Sequence, residues 1–241
     1  MSTLRERFRT LHAAGFFIIP NPWDVGSAVM LERVGFEALA TTSSGLALAM
    51  GREDHEVGFE ELCRHVGSLV EAIGIPLSVD GGRLFADTPD GVAANVRALA
   101  GIGAAGVSIE DYDPATGTID SIDIALPRVE AAVAAARETG VVLTARADNH
   151  ICGVDDFDDT LGRLAAYRGA GADVVYAPGV VDPERIRRIV DEVGGPVNVL
   201  LLPDAPSPAE LAALGVRRAS TGGSLARAAY ATLETARGLG G

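Results

Sequence analysis

The feature that most constrains this chain is a repeated unit, in which a short apolar run is followed by an amphipathic helical stretch. Each run is almost continuously apolar, as expected of strands buried on both faces of a parallel sheet. The runs are residues 17–20, 38–42, 76–80, 106–110, 141–146, 173–177, 197–201 and 218–221. Eight strand–helix units in 241 residues match the size and order of a (β/α)8 TIM barrel. We therefore predict a single barrel domain over residues 1–241.

The helical stretches carry start signals that support this reading. An N-cap residue followed by proline opens three of them, at residues 88–89, 182–183 and 207–208. Residues 3–14 predict an extra N-terminal helix that covers the barrel floor. The alternative fold is an open doubly wound sheet. We disfavour it because no G-x-G-x-x-G follows the first strand and the units are evenly spaced.

Composition excludes several classes of function. With 20 basic and 33 acidic side chains the net charge is −13, which argues against nucleic acid and against anionic membranes as partners. All the basic residues are arginines, so Schiff-base aldolases, pyridoxal-phosphate enzymes and P-loop NTPases, which need a lysine, are excluded. No apolar run approaches the ~20 residues of a membrane span. Without a signal-peptide pattern or a disulfide framework, we predict a cytoplasmic protein.

Polar residues end several of the predicted strands, where TIM barrels place their active sites. Asp80 and Glu110 end neighbouring strands, and two converging carboxylates repel each other unless a cation neutralises them. Their oxygen atoms suit Mg²⁺, which accepts few carboxylates and keeps waters. Arg146 ends the next strand, and its guanidinium would bind a substrate carboxylate or phosphonate through two parallel hydrogen bonds. The turn at residues 42–45 offers backbone N–H groups and hydroxyls to the same anion.

Other signals have two readings each. Strand-end acids can simply cap the following helices. Cys152 is more often an ordinary loop thiol than a nucleophile, whereas His55 and His150 would move protons near neutral pH if they reach the site. Residues 221–224 fit either a phosphate-binding helix start or a tight turn. Trp23 fits the core or a substrate wall equally well.

Six motifs in this order and spacing carry a resemblance to a known family. They are Asn21 to Ala28, Thr41 to Gly45, Ser78 to Asp80, Ile109 to Asp111, Ala145 to Asp148 and Pro196 to Val199. Over nearly its whole length the chain resembles the isocitrate lyase and phosphoenolpyruvate mutase superfamily. The resemblance implies Mg²⁺, or Mn²⁺ in its place, at the barrel mouth, with an α-keto acid or its enolate. It implies Asp80 as a direct metal ligand, Glu110 acting through metal-bound water, and Arg146 with Thr42, Ser43 and Ser44 holding the substrate. It also implies Asp54 on a mobile loop, and a homodimer or homotetramer.

The chain departs from the family pattern in two places. Gly82 stands where the family usually carries a second acid, and Leu84-Phe85-Ala86 replaces a Gly-Tyr-Gly. This weakens the expected metal site or leaves Asp87 as a substitute acid. Residues 112–117 replace the loop that carries the catalytic cysteine of isocitrate and methylisocitrate lyases, so a standard lyase of that kind is disfavoured.

The leading hypothesis is a Mg²⁺-dependent enzyme that makes or breaks a C–C or C–P bond of a small α-keto acid, carboxylate or phosphonate through an enolate. A lyase or decarboxylase comes first, and a mutase or phosphonate hydrolase stays open. The alternative is a non-catalytic barrel that binds a small dicarboxylate. The predicted catalytic residues are Asp54, Glu110 and Arg146; the metal ligands are Asp80 and Glu110; the substrate contacts are Thr42, Ser43, Ser44, Arg146, Trp23 and Asn198. We also predict that residues 50–57 form a lid.

Overall fold

A computed structural model describes residues 3–234. The glycine-rich end at residues 238–241, for which the sequence predicts fraying, lies outside them. Eight parallel strands form one sheet. They are β1 (Phe17–Ile19), β2 (Leu39–Ala40), β3 (Leu77–Val79), β4 (Gly106–Glu110), β5 (Val142–Arg146), β6 (Val174–Tyr176), β7 (Val197–Leu200) and β8 (Arg218–Ser220). Their order in the sheet is β1-β8-β7-β6-β5-β4-β3-β2. A hydrogen bond from the Ala40 N–H to the Pro20 carbonyl (3.1 Å) joins β2 to β1 and closes the barrel. The TIM barrel prediction is confirmed.

Helices surround the strands within residues 3–234. They are α1 (Leu4–Leu11), α2 (Val25–Val34), α3 (Ser43–Ala49), α4 (Phe59–Ala72), α5 (Pro89–Ile102), α6 (Ile122–Thr139), α7 (Phe157–Ala170), α8 (Pro183–Val193), α9 (Pro208–Ala213) and α10 (Ser224–Glu234). The three predicted prolines each occupy the first turn of a helix. Two elements were not predicted: the short helix α3, and a hairpin that pairs Tyr112–Asp113 with Thr118–Ile119.

The strands alternate between two environments. On β4, Val107 and Ile109 belong to the main apolar core between the sheet and the helices, whereas Ser108 and Glu110 have the opposite phase and line the barrel interior or its mouth. Period-two alternation of side chains explains this division. The core that stabilises the fold therefore lies outside the barrel, and its interior carries polar groups.

The N-terminal helix closes the floor of the barrel. It is shorter than predicted, running from Leu4 to Leu11, with Thr3 as its N-cap in a capping box with Glu6. Phe8 is fully buried in a second apolar cluster with Phe17 and residues of the strand starts. In residues 3–234 no helix is long and apolar enough to cross a membrane.

Candidate active site

Three neighbouring strands bring the predicted charged residues together at the C-terminal mouth of the barrel. Arg146 Nη1 lies 3.2 Å from Asp80 Oδ1 and 2.5 Å from Glu110 Oε1. Glu110 and Arg146 are registered partners on β4 and β5, so the sheet itself sets their separation. Asp80 follows β3 and is held by the Ser108 hydroxyl, which donates to Oδ1 at 3.2 Å. The two carboxylates thus converge on a single guanidinium nitrogen.

The other edge of Arg146 is already occupied. Its Nε and Nη2 donate to the two oxygens of Asp148, each at 3.1 Å, in a bidentate pair that is almost completely buried. The guanidinium also lies over the Tyr176 ring, 5.2 Å from the centroid. Only Nη1 faces Asp80 and Glu110. The bidentate partner of this arginine is therefore Asp148, and a ligand meets the Nη1 side.

Burial changes the proton affinity of the acids around Arg146. It raises the pKa of Glu110 well above its ordinary range; the Arg146 charge opposes the rise, and the Asp148 and Asp80 charges add to it. Burial likewise raises the pKa of Asp148 to about 6, against the lowering effect of Arg146. Three acids share one cation here, so the site has surplus negative charge when all of them are ionised. An additional cation would lower this electrostatic cost.

A buried network behind the mouth fixes Asp148. The Asp148 N–H donates to Asp111 Oδ1 at 2.9 Å. The other Asp111 oxygen accepts from the Tyr167 hydroxyl at 2.8 Å and from Arg163 Nη1 at 3.2 Å. Asp111 is 2% exposed, so these bonds form away from water, where a satisfied network is rigid. The position of Arg146 is thus set by two layers of charged partners.

The segment after β2 forms the start of helix α3. Thr42 is its N-cap and accepts from the Gly45 N–H at 3.2 Å. The Ser43 N–H donates to Asp80 Oδ2 at 3.0 Å. The backbone donor that the sequence assigned to a substrate is therefore bound to Asp80 in this structure, while Ser43 itself lines the mouth cavity. Ser44 lies 3.2 Å from the Thr42 hydroxyl, oxygen to oxygen.

A cavity of about 330 Å³ opens above Arg146 and Glu110. The predicted lid residue Asp54 lines it, and His55 lies beside Asp54 with its ring 5.3 Å from that of Tyr112. Cys152 lines the same cavity, but burial and the nearby acids raise the pKa of its thiol to about 11. A protonated thiol fits the loop-thiol reading.

A narrower polar cavity of about 60 Å³ continues from the mouth into the barrel interior. One registered row of inward residues runs around the barrel; it consists of Glu110, Arg146, Tyr176, Asn198 and Arg218. Strands tilted by ~36° and spaced ~4.8 Å move such a row roughly 3 Å along the axis per strand. The row therefore winds from the mouth at Glu110 toward the floor at Arg218.

Arg218 is the deep end of this row. It donates from Nε to Asn198 Oδ1 at 2.8 Å and from Nη2 to Thr144 Oγ1 at 3.0 Å, and its Nη1 lies 3.2 Å from His12 Nε2. These partners are neutral, and burial lowers the pKa of Arg218 to about 10. Burial also lowers the pKa of His12 to about 3. The Asn198 amide is thus oriented with Oδ1 toward Arg218 and Nδ2 toward Ser220, at 3.0 Å.

The remaining predicted residues lie outside the charged cluster. Trp23 is half-buried, packs near Gly45 and does not line either cavity. The N–H groups of Thr221 and Gly222 both donate to Asn21 Oδ1 at 2.9 Å, which supports the tight-turn reading of residues 221–224. Asp87 pairs with Arg83 and its side chain is 95% exposed, so it does not replace the missing second acid.

His150 is a further candidate that the structure places elsewhere. It lies 3.4 Å from Asp155 and does not line either cavity. Burial lowers the pKa of its imidazole, with Asp155 opposing that shift. We therefore leave His150 out of the site.

The donor set at the mouth can be tested against Mg²⁺ or Mn²⁺. Asp80 and Glu110 supply hard carboxylate oxygens that both face Arg146 Nη1 in this structure, so an ion would bind beside that nitrogen. Mg²⁺ is commonly held by one or two carboxylates with waters. Residues 3–234 contain no group of three or more His, Cys, Asp or Glu side chains arranged around a metal position. The residues therefore fit a weakly anchored, water-rich ion.

The mouth of this TIM barrel carries paired carboxylates, a buried guanidinium and hydroxyls. These features define a class of barrel proteins that bind a small anionic ligand at the strand ends. Comparison with known proteins narrows the class. The chain belongs to the phosphoenolpyruvate phosphomutase family, which it matches over residues 8–238, within the isocitrate lyase and phosphoenolpyruvate mutase superfamily.

Three relatives illustrate the similarity. An uncharacterized protein of Mycobacterium tuberculosis is 32% identical over 96% of this chain and 88% of its own length. The oxaloacetate decarboxylase of Paraburkholderia xenovorans is 30% identical over 92% of this chain and 77% of its own length. A crystal structure from Burkholderia cenocepacia, whose assignment as a lyase or mutase is itself provisional, is 48% identical with a TM-score of 0.92 and covers 97% of this chain and 86% of that one. The family hosts lyases, decarboxylases and mutases, and this supports an enzyme.

Sequence reasoning overlooked three residues that the structure adds to the site. Asp148 was visible as an acid two residues after Arg146, and Tyr176 as a polar residue at the end of a buried strand. Arg218 follows Arg217, and such a pair is typical of a solvated surface. Only the register of β8 shows that one of the two faces the barrel interior.

Proposed function

We propose that this protein is a Mg²⁺-dependent enzyme that breaks or forms a C–C bond next to the carbonyl of a small α-keto acid, as a lyase or decarboxylase. The observation that supports it most is the convergence of Asp80 and Glu110 on Arg146 Nη1 beneath a cavity of about 330 Å³. Mn²⁺ would serve in place of Mg²⁺. The second substrate type that would fit this site is a phosphonate, whose C–P bond would be broken or formed.

Each residue of the site would have a separate role in this reaction. Asp80 and Glu110 would hold the ion, which when bound supplies positive charge to a substrate oxygen that becomes negative as the bond breaks. Arg146, fixed by Asp148, would hold the substrate carboxylate through Nη1. Asp54 lines the cavity opposite and would accept or return a proton when residues 50–57 close. Ser43 and Asn198 would orient the substrate from the mouth and from the interior.

One observation favours the alternative of a non-catalytic dicarboxylate binder. Arg146 Nη1 occupies the point where the two carboxylates meet, and Gly82 supplies no further acid, so the site neutralises part of its own charge. Calorimetric titration with Mg²⁺, with and without oxalate as an enolate mimic, separates the two functions. Heat and protection against unfolding at millimolar Mg²⁺ support the enzyme. Oxalate binding without any Mg²⁺ dependence supports the binder. The predictions of a homodimer or homotetramer and of a cytoplasmic location stay predictions.

A further inference from the structure

Beside Asp80 the mouth opens into an apolar recess of about 110 Å³, which we call the side pocket. Its apolar walls are Leu46, Val57, Leu62, Phe85 and Pro114. Its edge toward the mouth carries the polar residues Ser43, His55 and Asp80. Ser43 also lines the large mouth cavity, and Asp80 also lines the polar barrel cavity. The side pocket therefore borders the charged site and shares lining residues with both of its cavities.

The loop that forms one wall of the side pocket is held in an unusual backbone conformation. Leu84 and Phe85 have φ values of 56° and 51°, the left-handed region that bulky residues rarely adopt. Such a conformation persists only when its surroundings fix it. Arg128, which is 2% exposed, donates to the carbonyls of Arg83 and Ala86 at 2.6 and 2.7 Å. These bonds hold the Phe85 wall in place.

Charge is directed away from the apolar walls. Arg83 borders the side pocket, but its guanidinium donates to Asp120 at 3.1 Å and to Asp87 at 2.8 Å. Gly82 also borders the side pocket, and a Cβ built there would meet nothing within 4 Å. The chain thus leaves open apolar space next to Asp80. An apolar group would therefore fit against these walls at little cost, whereas a charged or polar group would lose its hydrogen bonds to water there.

We propose that the side pocket receives an apolar branch on the substrate carbon next to the carbonyl, where the C–C bond breaks or forms. The substrate class would be an alkyl-substituted keto acid or dicarboxylate rather than an unbranched one, and this inference rests on the proposed function. A cavity of about 150 Å³ lined by Leu, Ile and Phe accommodates the six carbons of benzene. In proportion to its volume of about 110 Å³, the side pocket would accommodate a branch of about four carbons. Val57 belongs to the predicted lid segment, so closure of the lid would cover the branch.

The test uses a series of inert dicarboxylates with the full chain in excess Mg²⁺. Malonate, methylmalonate, ethylmalonate, n-propylmalonate, n-butylmalonate and n-hexylmalonate are titrated by calorimetry. Burial of each methylene tightens binding by about fourfold, so the affinity rises by about 60-fold from methyl to n-butyl. The longer n-hexyl chain exceeds the side pocket and gains nothing more. Phe85→Ala removes one wall, which reduces the rise to below about tenfold and leaves malonate binding within about twofold of the wild type.

Ile124→Ala is the matched control, because Ile124 on α6 is 50% exposed, close to the 45% of Phe85, and lies outside the side pocket. This control keeps the full rise. If malonate binds but longer branches do not bind more tightly, or if Phe85→Ala keeps the wild-type rise, the side-pocket proposal is wrong and the proposed function stands. If no member of the series binds, both are overturned.

Discussion

Arg146→Lys tests whether the planar guanidinium is needed at the mouth. In the structure Nε and Nη2 each donate to Asp148 at 3.1 Å, while Nη1 lies 2.5 Å from Glu110. An ammonium occupies one point and cannot contact acids on both sides. A lysine therefore cannot keep both the Asp148 pair and a donor at the ligand-facing position of Nη1, so oxalate loses one charge-assisted hydrogen bond, worth about 1.5–3 kcal/mol. We expect a net loss of about 2 kcal/mol, or about 30-fold weaker oxalate binding.

The assay is calorimetric titration of oxalate with Mg²⁺ present, accompanied by urea unfolding to confirm that the variant is folded. Arg185→Lys is the matched control, because Arg185 forms a single exposed pair with Asp155 at 2.6 Å. An exposed pair contributes at most about 1 kcal/mol to stability, and neither residue of this pair lines the two cavities of the site. If Arg146→Lys binds oxalate within about twofold of the wild-type affinity, the site does not require the bidentate pair with Asp148, and this reasoning is wrong.

Three further predictions follow from the mouth, the lid and the floor. Asp80→Ala abolishes Mg²⁺ binding and turnover but leaves the circular dichroism spectrum unchanged, because Asp80 lies at the mouth and not in the core. If calorimetry still detects the heat of Mg²⁺ binding in this variant, the metal assignment is wrong. Residues 50–57 exchange amide hydrogens more slowly with Mg²⁺ and oxalate bound, and Asp54→Ala lowers kcat more than it lowers oxalate affinity. Equal exchange rates with and without ligand would show that this segment is not a lid. His12 has a folded pKa of about 3, below its unfolded value of about 6.5, so only the unfolded state binds a proton between these values. The free energy of unfolding therefore falls as pH drops from about 6.5 toward 3, by up to about 1.4 kcal/mol per unit, and His12→Gln flattens that slope in urea unfolding at pH 7, 6 and 5.

The barrel and the position of its mouth were predictable because both depend on local patterns. Apolar runs at regular spacing specify parallel strands, and strand ends in a barrel share one face. Asp80, Glu110 and Arg146 were expected to meet for that reason, and the structure places both carboxylates within 3.2 Å of Arg146 Nη1. Their catalytic and metal-binding roles stay predictions that the experiments above test.

The partner of each charge could not be predicted in the same way. Whether Arg146 turns its two-nitrogen edge toward Asp148 or toward a ligand depends on side-chain torsions beyond the strand end, which no spacing encodes. The Ser43 N–H was assigned to a substrate, yet the short helix α3 directs it to Asp80. Register decides similar questions deeper in the barrel, since a shift of one residue on β8 would exchange Arg217 and Arg218 between outside and inside.

The polar interior of this barrel has a cost that the rest of the fold must offset. TIM barrel interiors are usually filled by branched apolar side chains, whereas here Ser108, Thr144, Asn198 and Arg218 face inward. A buried polar group without a partner costs a few kcal/mol, so each must be hydrogen-bonded. Arg218 meets this condition by bonding to Thr144 and Asn198, and the neutral His12 of the floor accepts its third bond. Because the apolar core lies between the sheet and the helices, the interior is free to hold Asn198 and Arg218 beneath the mouth. The N-terminal helix therefore does more than cover the floor. Through His12 it fixes Arg218, and through Arg218 it fixes the Asn198 amide that lines the narrow interior cavity.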